Sequence, residues 1–408
     1  MSTVVLIGTL DTKGEEYAFV QRVIEGQGCK TLVVDAGIAP AHGRMPDIGA
    51  DRVAVAGGAD LEALRTANDR GTAMEVMARG AANTVRDIYL AGRLDAVMAL
   101  GGSGGTSVAT AAMRALPIGV PKLMVSTVAA GDVGSYVGTS DIMMLYPVVD
   151  IAGLNIISER ILTNAAVAVA AMAKAAEKSG PIEAVRPVVA VTMFGVTTPA
   201  VTVARTWLEA AGYEVLVFHA NGAGGRAMEA LMRDGVIRGV LDLTTTELAD
   251  ELVGGMLSAG PDRLEAAGAL GLPQVVSLGA LDMVNFGPIT TVPEKFRNRR
   301  LYRHNPNVTL MRTTPEECSE LGAMIAGKLN RATGPVTVFI PLRGTSSIST
   351  QGGVFHDAAA DEALVAGLTR NLDPAVAYIA GDVDINDGKF ALAMAQELDA
   401  HMKKDGRK

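Results

Sequence analysis

Residues 95–107, DAVMALGGSGGTS, constrain the fold of this 408-residue chain more than any other stretch. From Asp95 to Leu100 the sequence is a short apolar run of the kind that forms a buried strand. It empties directly into Gly101, Gly102, Ser103, Gly104, Gly105, Thr106 and Ser107, and an alanine-rich helical pattern at 108–114 follows at once. Strand, glycine loop and helix start make a phosphate-binding geometry. Glycine lets the backbone approach an oxyanion, and the N–H groups and positive dipole of the first helical turn attract it. The loop lacks the Lys of a Walker loop and the third Gly of a dinucleotide fingerprint, whose place Ser107 takes. It points to a phosphate or carboxylate, or to a tight strand-to-helix turn in which the glycines serve packing alone.

The length exceeds one ordinary core, so two domains are expected. A hydrophobic share of 49% with only 4% aromatic residues describes aliphatic packing, which suits parallel sheets covered by helices. The net charge of −8 argues against nucleic acid or an anionic membrane as partner. Cys29 and Cys318 stand far apart without CxxC spacing, as expected of buried thiols in a reducing compartment. The N-terminus carries no basic segment before its short apolar run. The most apolar helical window, 165–176, is broken by Lys174. A soluble, cytoplasmic protein is the expectation.

Residues 3–7 predict a first strand, 8–14 its loop, 15–25 a helix and 30–34 a second strand, which together form a βαβ unit. Asp35 stands where nucleotide folds often keep an acid for ribose hydroxyls, and equally where a turn uses Asp. A loop at 39–51 holds His42 and Arg44, and helical patterns follow at 61–67 and 72–90. Beyond the glycine loop, 122–125 forms a strand ending in Ser126 and Thr127, with Asp132 and Asp141 in the segment after it and a long helix at 156–177. The polar, proline-bearing connector 178–187 marks a boundary, giving domains 1–183 and 184–408.

The second half restarts the same logic. Strands are expected at 188–193, 215–218, 239–243, 274–278, 336–340 and 376–379. Helices are expected at 200–211, 227–233, 316–331 and 361–371. A second glycine-rich loop, from His219 to Arg226, precedes one of these helices, and Thr244 to Glu247 has the look of a helix cap. The pattern is lost between 286 and 306, which holds Lys295, Arg297, Arg299, Arg300, Arg303 and His304. That cluster suits a solvated loop, a lid over an anion or a subunit contact. The tail 401–408 is expected to fray. The fold class is therefore α/β, with two doubly wound Rossmann-like domains, mostly parallel sheets and a ligand cleft between them.

No GxSxG elbow is present, and the five histidines form neither HxH nor HExxH spacing, so no catalytic residue and no metal ligand is assigned. The loops suit anions instead. Candidate ligands after the first strand are Gly8, Thr9, Asp11, Thr12 and Lys13, with Asp35 after the second. Gly101, Gly102, Ser103, Gly104, Gly105 and Thr106 follow the third strand, and Ser126 and Thr127 the fourth. From the second half come Arg343, Gly344 and Ser346, beside hydroxyls at Thr197 and Thr198. Lys13 meets a phosphate as a point charge, whereas Arg343 forks onto a carboxylate or phosphate. A magnesium ion accompanying a nucleotide wants one or two carboxylates, and Asp11, Asp132 and Asp141 are the candidates.

Seven segments in order, IGTLDTKGEE (7–16), LGGSGGTS (100–107), LPIGVPKLMVST (116–127), GDVGSYVGTSDIMM (131–144), DIAGLN (150–155), HNPNVTLMRTTPEE (304–317) and PLRGTSS (341–347), carry a resemblance across nearly the whole chain. They resemble a family of bacterial and fungal proteins whose plant relative forms the N-terminal half of the tomato mosaic virus resistance protein. The resemblance implies two Rossmann-like domains, ATP binding and a homodimer. In the plant protein a barrel domain related to phosphoenolpyruvate hydrolases follows, so a separately encoded partner of that type is expected here.

The expected function is thus ATP binding, with phosphates on the glycine-rich loops near the cleft. ATP would be hydrolysed, donate a phosphoryl group or regulate. The alternatives are an enzyme on a small phosphorylated or carboxylated metabolite, with Arg343 and His304 as anion clamp and acid–base, or a scaffold for the hydrolase-like partner.

Overall fold

The computed structural model describes residues 1–41, 45–179 and 185–406. His42 and Arg44 of the expected loop lie outside the described residues, as does half of the expected connector, 180–184. The chain divides into two compact units, Met1–Glu183 and Ala184–Lys408.

In the first unit the order is β1 (Thr3–Gly8), α1 (Leu10–Gly26), β2 (Lys30–Asp35), α2 (Ala50–Ala56), α3 (Leu61–Ala67), α4 (Arg70–Leu90), β3 (Ala96–Gly101) and α5 (Ser103–Arg114). Then come β4 (Lys122–Ser126), α6 (Gly134–Val137), β5 (Met143–Leu145) and α7 (Ile156–Ser179). Among the described residues the strands form one parallel sheet in the order β2-β1-β3-β4-β5. Its side chains alternate between two cores, as a pleated strand requires. Val5, Ile7, Val97 and Ala99 pack with α4 and α5, while Val4, Leu6, Met98 and Leu100 pack with α1 and α7. Helices on both faces explain why these strands are apolar throughout instead of alternating. By length and composition Ile156–Lys178 is apolar enough to cross a bilayer, and 39% of that window is buried. Its Leu162, Ala166, Val169 and Ala173 face the sheet.

The second unit runs β6 (Val188–Met193), α8 (Thr198–Ala210), β7 (Glu214–His219), α9 (Ala223–Arg233), β8 (Gly239–Thr244), α10 (Glu247–Val253), α11 (Ala266–Ala269) and β9 (Gln274–Gly279). After β10 (Met283–Phe286), β11 (Leu301–Asn305) and β12 (Val308–Arg312) come α12 (Pro315–Leu329), β13 (Val336–Pro341), α13 (Ala358–Asn371), β14 (Ala377–Gly381) and α14 (Gly388–Lys404). Its main sheet is parallel in the order β14-β13-β9-β8-β6-β7. Starting from β6, this is the winding of the first unit repeated, with one strand added at the far edge. α8 and α14 cover one face, and α9 to α13 the other.

Three differences from the sequence reading have physical causes. The segment 286–306 is not patternless: it closes an antiparallel sheet, β10-β12-β11. Its apolar alternation sits on β10 and β12, whereas the edge strand β11 is mostly exposed and polar. Residues 401–404 of the tail form the end of α14, whose N-terminus Asp387 caps by accepting from the Lys389 and Phe390 amides. Helix α5 begins five residues earlier than periodicity indicates, because its first turn, Ser-Gly-Gly-Thr, carries no apolar signal, whereas α1 opens with a single turn that non-helical Lys13 (φ −130) sets off from the expected helix.

Candidate functional site

In the first sheet the chain leaves β1 to one side for β2 and returns on the other side for β3. The β1/β3 junction is therefore the switch point, and ligands bind at the carboxyl ends of such strands. The direct pairing of β1 with β3 stops at Leu6 and Met98. Beyond it the backbone groups need other partners. Tyr17, reaching up from α1, supplies them. Its hydroxyl donates to the Ile7 carbonyl at 2.6 Å, lies 3.1 Å from the Leu100 carbonyl and accepts the Leu100 amide at 2.7 Å. Burial pushes this phenol well above its ordinary range. A Cβ on Gly8 would stand 1.9 Å from the same hydroxyl, so only glycine fits where β1 ends. Tyr17 thus forms the floor of the crevice.

The glycine loop forms its rim. Gly102 is the N-cap of α5 and provides no side-chain cap. The amides of Ser103, Gly104 and Gly105 precede the first that finds a helical acceptor, Thr106 N–H to Gly102 carbonyl at 2.9 Å. Ser103 is exposed, and Gly104 and Gly105 are partly exposed. Around them stand the Thr127 hydroxyl, 3.6 Å from a Cβ placed on Gly102, and the Thr9 hydroxyl, 4.0 Å from one on Gly105. Across the loop lies a cation that sequence reasoning missed. Nη2 of Arg70, the first residue of α4, is 3.6 Å from a Cβ placed on Gly104. No spacing rule links Arg70 to residue 104; only the docking of α4 against α5 brings them together.

The other first-unit candidates are engaged elsewhere. Thr106 and Ser126 are buried and share a hydrogen bond of 2.6 Å, locking α5 to β4. The Lys13 ammonium donates to the Ile151 carbonyl and thereby pins the segment before α7. Thr12 pairs with the Thr9 hydroxyl at 3.0 Å. Asp35 is buried and accepts the Leu10 and Gly37 amides at 3.1 and 2.8 Å, the geometry of a turn acid; burial raises its pKa, against the pull of those two amides. Asp11 accepts the Ile38 and Ala39 amides through Oδ2, while Oδ1 is buried without a partner. Asp132 accepts the Gly134 amide. Asp141 bonds the ammonium of Lys122, the first residue of β4, at 2.6 Å, which places it at the opposite end of the sheet from the glycine loop. Among the described residues, no three His, Cys, Asp or Glu side chains converge as a metal site.

The second unit has its own switch point, between β6 and β8, and its own glycine loop at the start of α9. Here the loop is filled from within. Oε1 of Glu247 accepts the Gly222 amide at 2.7 Å and the Gly225 amide at 3.0 Å. Gly222 has φ +83, and a Cβ on it would lie 2.6 Å from the Ser258 carbonyl. Glu247 is therefore not the cap of its own helix, as its position after three threonines implies, but the anion of another helix. Its second oxygen accepts from Nε of Arg263 at 2.6 Å, and the same guanidinium forks onto Asp242 at 2.5 and 2.6 Å, all fully buried. Thr197 and Thr244 close this crevice with a buried hydroxyl pair at 2.8 Å.

Arg343 forks onto Asp382 at 2.5 and 3.1 Å in a fully solvated pair. Gly344 follows with φ +130. Ser346 is buried and donates to Asp282 at 2.8 Å, beside Thr345 at 2.9 Å. In the basic segment Arg299 forks onto Glu317, Arg300 donates to the His356 carbonyl, and His304 is exposed on β11. Both cysteines are buried and free.

Residues 2–178 match the N-terminal domain, and residues 186–402 the C-terminal domain, of the family described as Uncharacterised protein family (UPF0261). A UPF0261 protein of Clostridium tetani is 52% identical over 403 residues, covering 98% of this chain and 99% of the relative. The ToMV resistance protein Tm-1(GCR237) of Solanum lycopersicum is 44% identical over 342 residues, covering 81% of this chain and 45% of the tomato protein. Among solved structures, a UDP-N-acetylglucosamine 2-epimerase from Rickettsia bellii aligns with 99% of this chain and 95% of its own, at 11% identity and a TM-score of 0.25, too low to carry a substrate across. Matched domain by domain and along almost its full length by such relatives, the chain belongs to the UPF0261 family.

Proposed function

We propose that this protein binds ATP at the β1/β3 switch point, with the phosphates on the amides of Ser103, Gly104 and Gly105. One observation carries the reading: of the two glycine-started helices, α9 has its anion supplied by Glu247, whereas the amides that open α5 have no acceptor among the described residues. An anion at α5 completes the hydrogen bonding that Glu247 completes at α9. Arg70 adds a cation at the rim, and the Thr9 and Thr127 hydroxyls add donors.

Isothermal titration with ATP, with and without magnesium, tests the reading. Wild type should saturate, and a hundredfold excess over Kd should add about 2.7 kcal/mol of stability by linkage. Gly104→Val should abolish the heat and keep the fold, since a Cβ there meets only Met74 and Arg70 side chains at ordinary contact distance, 3.5 and 3.6 Å. Affinity that survives Gly104→Val places the nucleotide elsewhere. Silence with ATP but heat with a phosphorylated sugar or keto acid replaces the nucleotide by a small anionic metabolite.

A further inference from the structure

The amides that open α5 face a cation carried by another helix. Arg70 is the first residue of α4, and its Nη2 stands 3.6 Å from a Cβ placed on Gly104. Packing fixes α4 in that place. Its Met77, Ala81 and Val85 are buried in the core, and a Cβ on its Gly80 would run into the Val53 carbonyl, so α4 and α2 meet backbone to backbone. Met74, one turn beyond Arg70, brings its Cε to 3.5 Å from the Cβ placed on Gly104. The guanidinium thus reaches the rim from a well-seated helix and not from a loop.

Its charge is not spent within the chain. Asp69, its neighbour in sequence, turns back onto α4: Oδ1 accepts the Gly71 and Thr72 amides at 3.0 and 3.3 Å, and Oδ2 accepts the Thr72 hydroxyl at 2.7 Å. Arg70 is exposed, and among the described residues no carboxylate pairs with it. Lys13, by contrast, is held by the Ile151 carbonyl. The donors around the cradle come from three further elements. Thr127, after β4, stands beside Gly102; Arg70, on α4, beside Gly104; and Thr9, after β1, beside Gly105. A terminal phosphate offers three unbridged oxygens and close to two negative charges at neutral pH. A phosphate bridged on both sides offers two such oxygens and one charge. Donors on several sides of one cradle, with an unspent guanidinium among them, suit the terminal group.

We propose that Arg70 is the specificity-determining residue of this site, and that with the α5 amides it selects a nucleotide that has a free terminal phosphate over a dinucleotide whose phosphates are both bridged. The inference rests on the placement of the nucleotide at α5 proposed above. A guanidinium forks onto two oxygens of one phosphate, and the amides and hydroxyls share the remaining lone pairs. A bridged phosphate turns an ester oxygen toward one of these donors and brings less charge to Arg70, so it binds more weakly.

Isothermal titration of the full-length protein with ATP and with NAD tests this, because both carry adenosine on a diphosphate and only ATP has a terminal phosphate. ATP should bind tighter by about ten-fold or more. Arg70→Gln should weaken ATP by about ten- to a hundred-fold, the loss of a charge-assisted contact, and narrow the preference over NAD. The unfolding midpoint should not move, since the side chain is exposed and unpaired. Arg86→Gln removes the same charge about 24 Å further along α4 and should leave both affinities alone. Equal affinity of the wild type for ATP and NAD, with both lost in Gly104→Val, overturns the selection and leaves the nucleotide at α5. An ATP affinity that Arg70→Gln does not change, or that Arg86→Gln lowers as much, overturns the role of Arg70. Silence with both nucleotides overturns the placement at α5 and this inference with it.

Discussion

The two halves of this protein wind their sheets in the same order, yet their switch points are finished in opposite ways. In the first unit the crevice between β1 and β3 has a tyrosine floor, a glycine rim and helix-opening amides without an acceptor among the described residues. In the second, the corresponding amides of α9 are bound by Glu247, itself held by a buried arginine, and threonine hydroxyls close the space. A helix N-terminus in a Rossmann-like unit asks for negative charge. The chain answers internally in one unit, and in the other no described residue supplies the answer. Two glycine-rich loops that look alike in sequence therefore differ in what they offer a partner, and the difference is decided by a residue far along the chain.

The comparison is broken most forcefully at Glu247. Its replacement by Ala leaves two α9 amides and one arm of Arg263 without an acceptor in a site that water does not reach. Truncating one member of a buried ion pair costs about 3–5 kcal/mol. Urea unfolding followed by the fluorescence of Trp207, which lies in the second unit, should show a loss of that order. A change below about 1 kcal/mol would mean that the internal anion is dispensable, and that the closed crevice owes little to it.

Tyr17→Phe makes a smaller break, on the other side of the comparison. The ring still fills its place, but the Ile7 carbonyl and the Leu100 amide lose a buried partner. That should cost about 1–3 kcal/mol, followed by circular dichroism. Because the hydroxyl faces the floor and not the rim, ATP affinity should fall less than in Gly104→Val. An affinity loss as large as that of Gly104→Val would make Tyr17 part of the ligand site.

The winding of both units was legible in sequence because apolar runs ending in glycine and hydroxyl residues recur at the right spacing. The glycine loop at 101–105 was legible for the same reason. What the sequence could not disclose is who satisfies each loop. Nothing in Gly222 to Arg226 distinguishes a filled cradle from an unfilled one, and Glu247 lies more than twenty residues away on a different helix. Arg70 was invisible because its relation to Gly104 exists only in the packing of α4 on α5. Lys13 misled in the opposite sense: a lysine beside a glycine loop suggests a phosphate, but its ammonium holds a backbone carbonyl of the segment before α7. The small antiparallel sheet escaped notice because its edge strand carries arginine and histidine where apolar alternation is sought.

The smallest effect belongs to the residue that sequence made most suggestive in the second unit. Arg343 ends a strand beside glycine and hydroxyls, the setting of an anion clamp, and its fork is formed, but with Asp382 and in full solvent. Both side chains gain from the pairing: the arginine is raised and the aspartate lowered by their mutual hydrogen bond. Exposed pairs of this kind contribute little, because water and salt screen them and two mobile side chains must be ordered. Arg343→Ala should leave the unfolding midpoint and the ATP titration where they are. If instead it removed ATP binding, the nucleotide would sit on the second unit, and the proposal that the first switch point takes the ligand would fall.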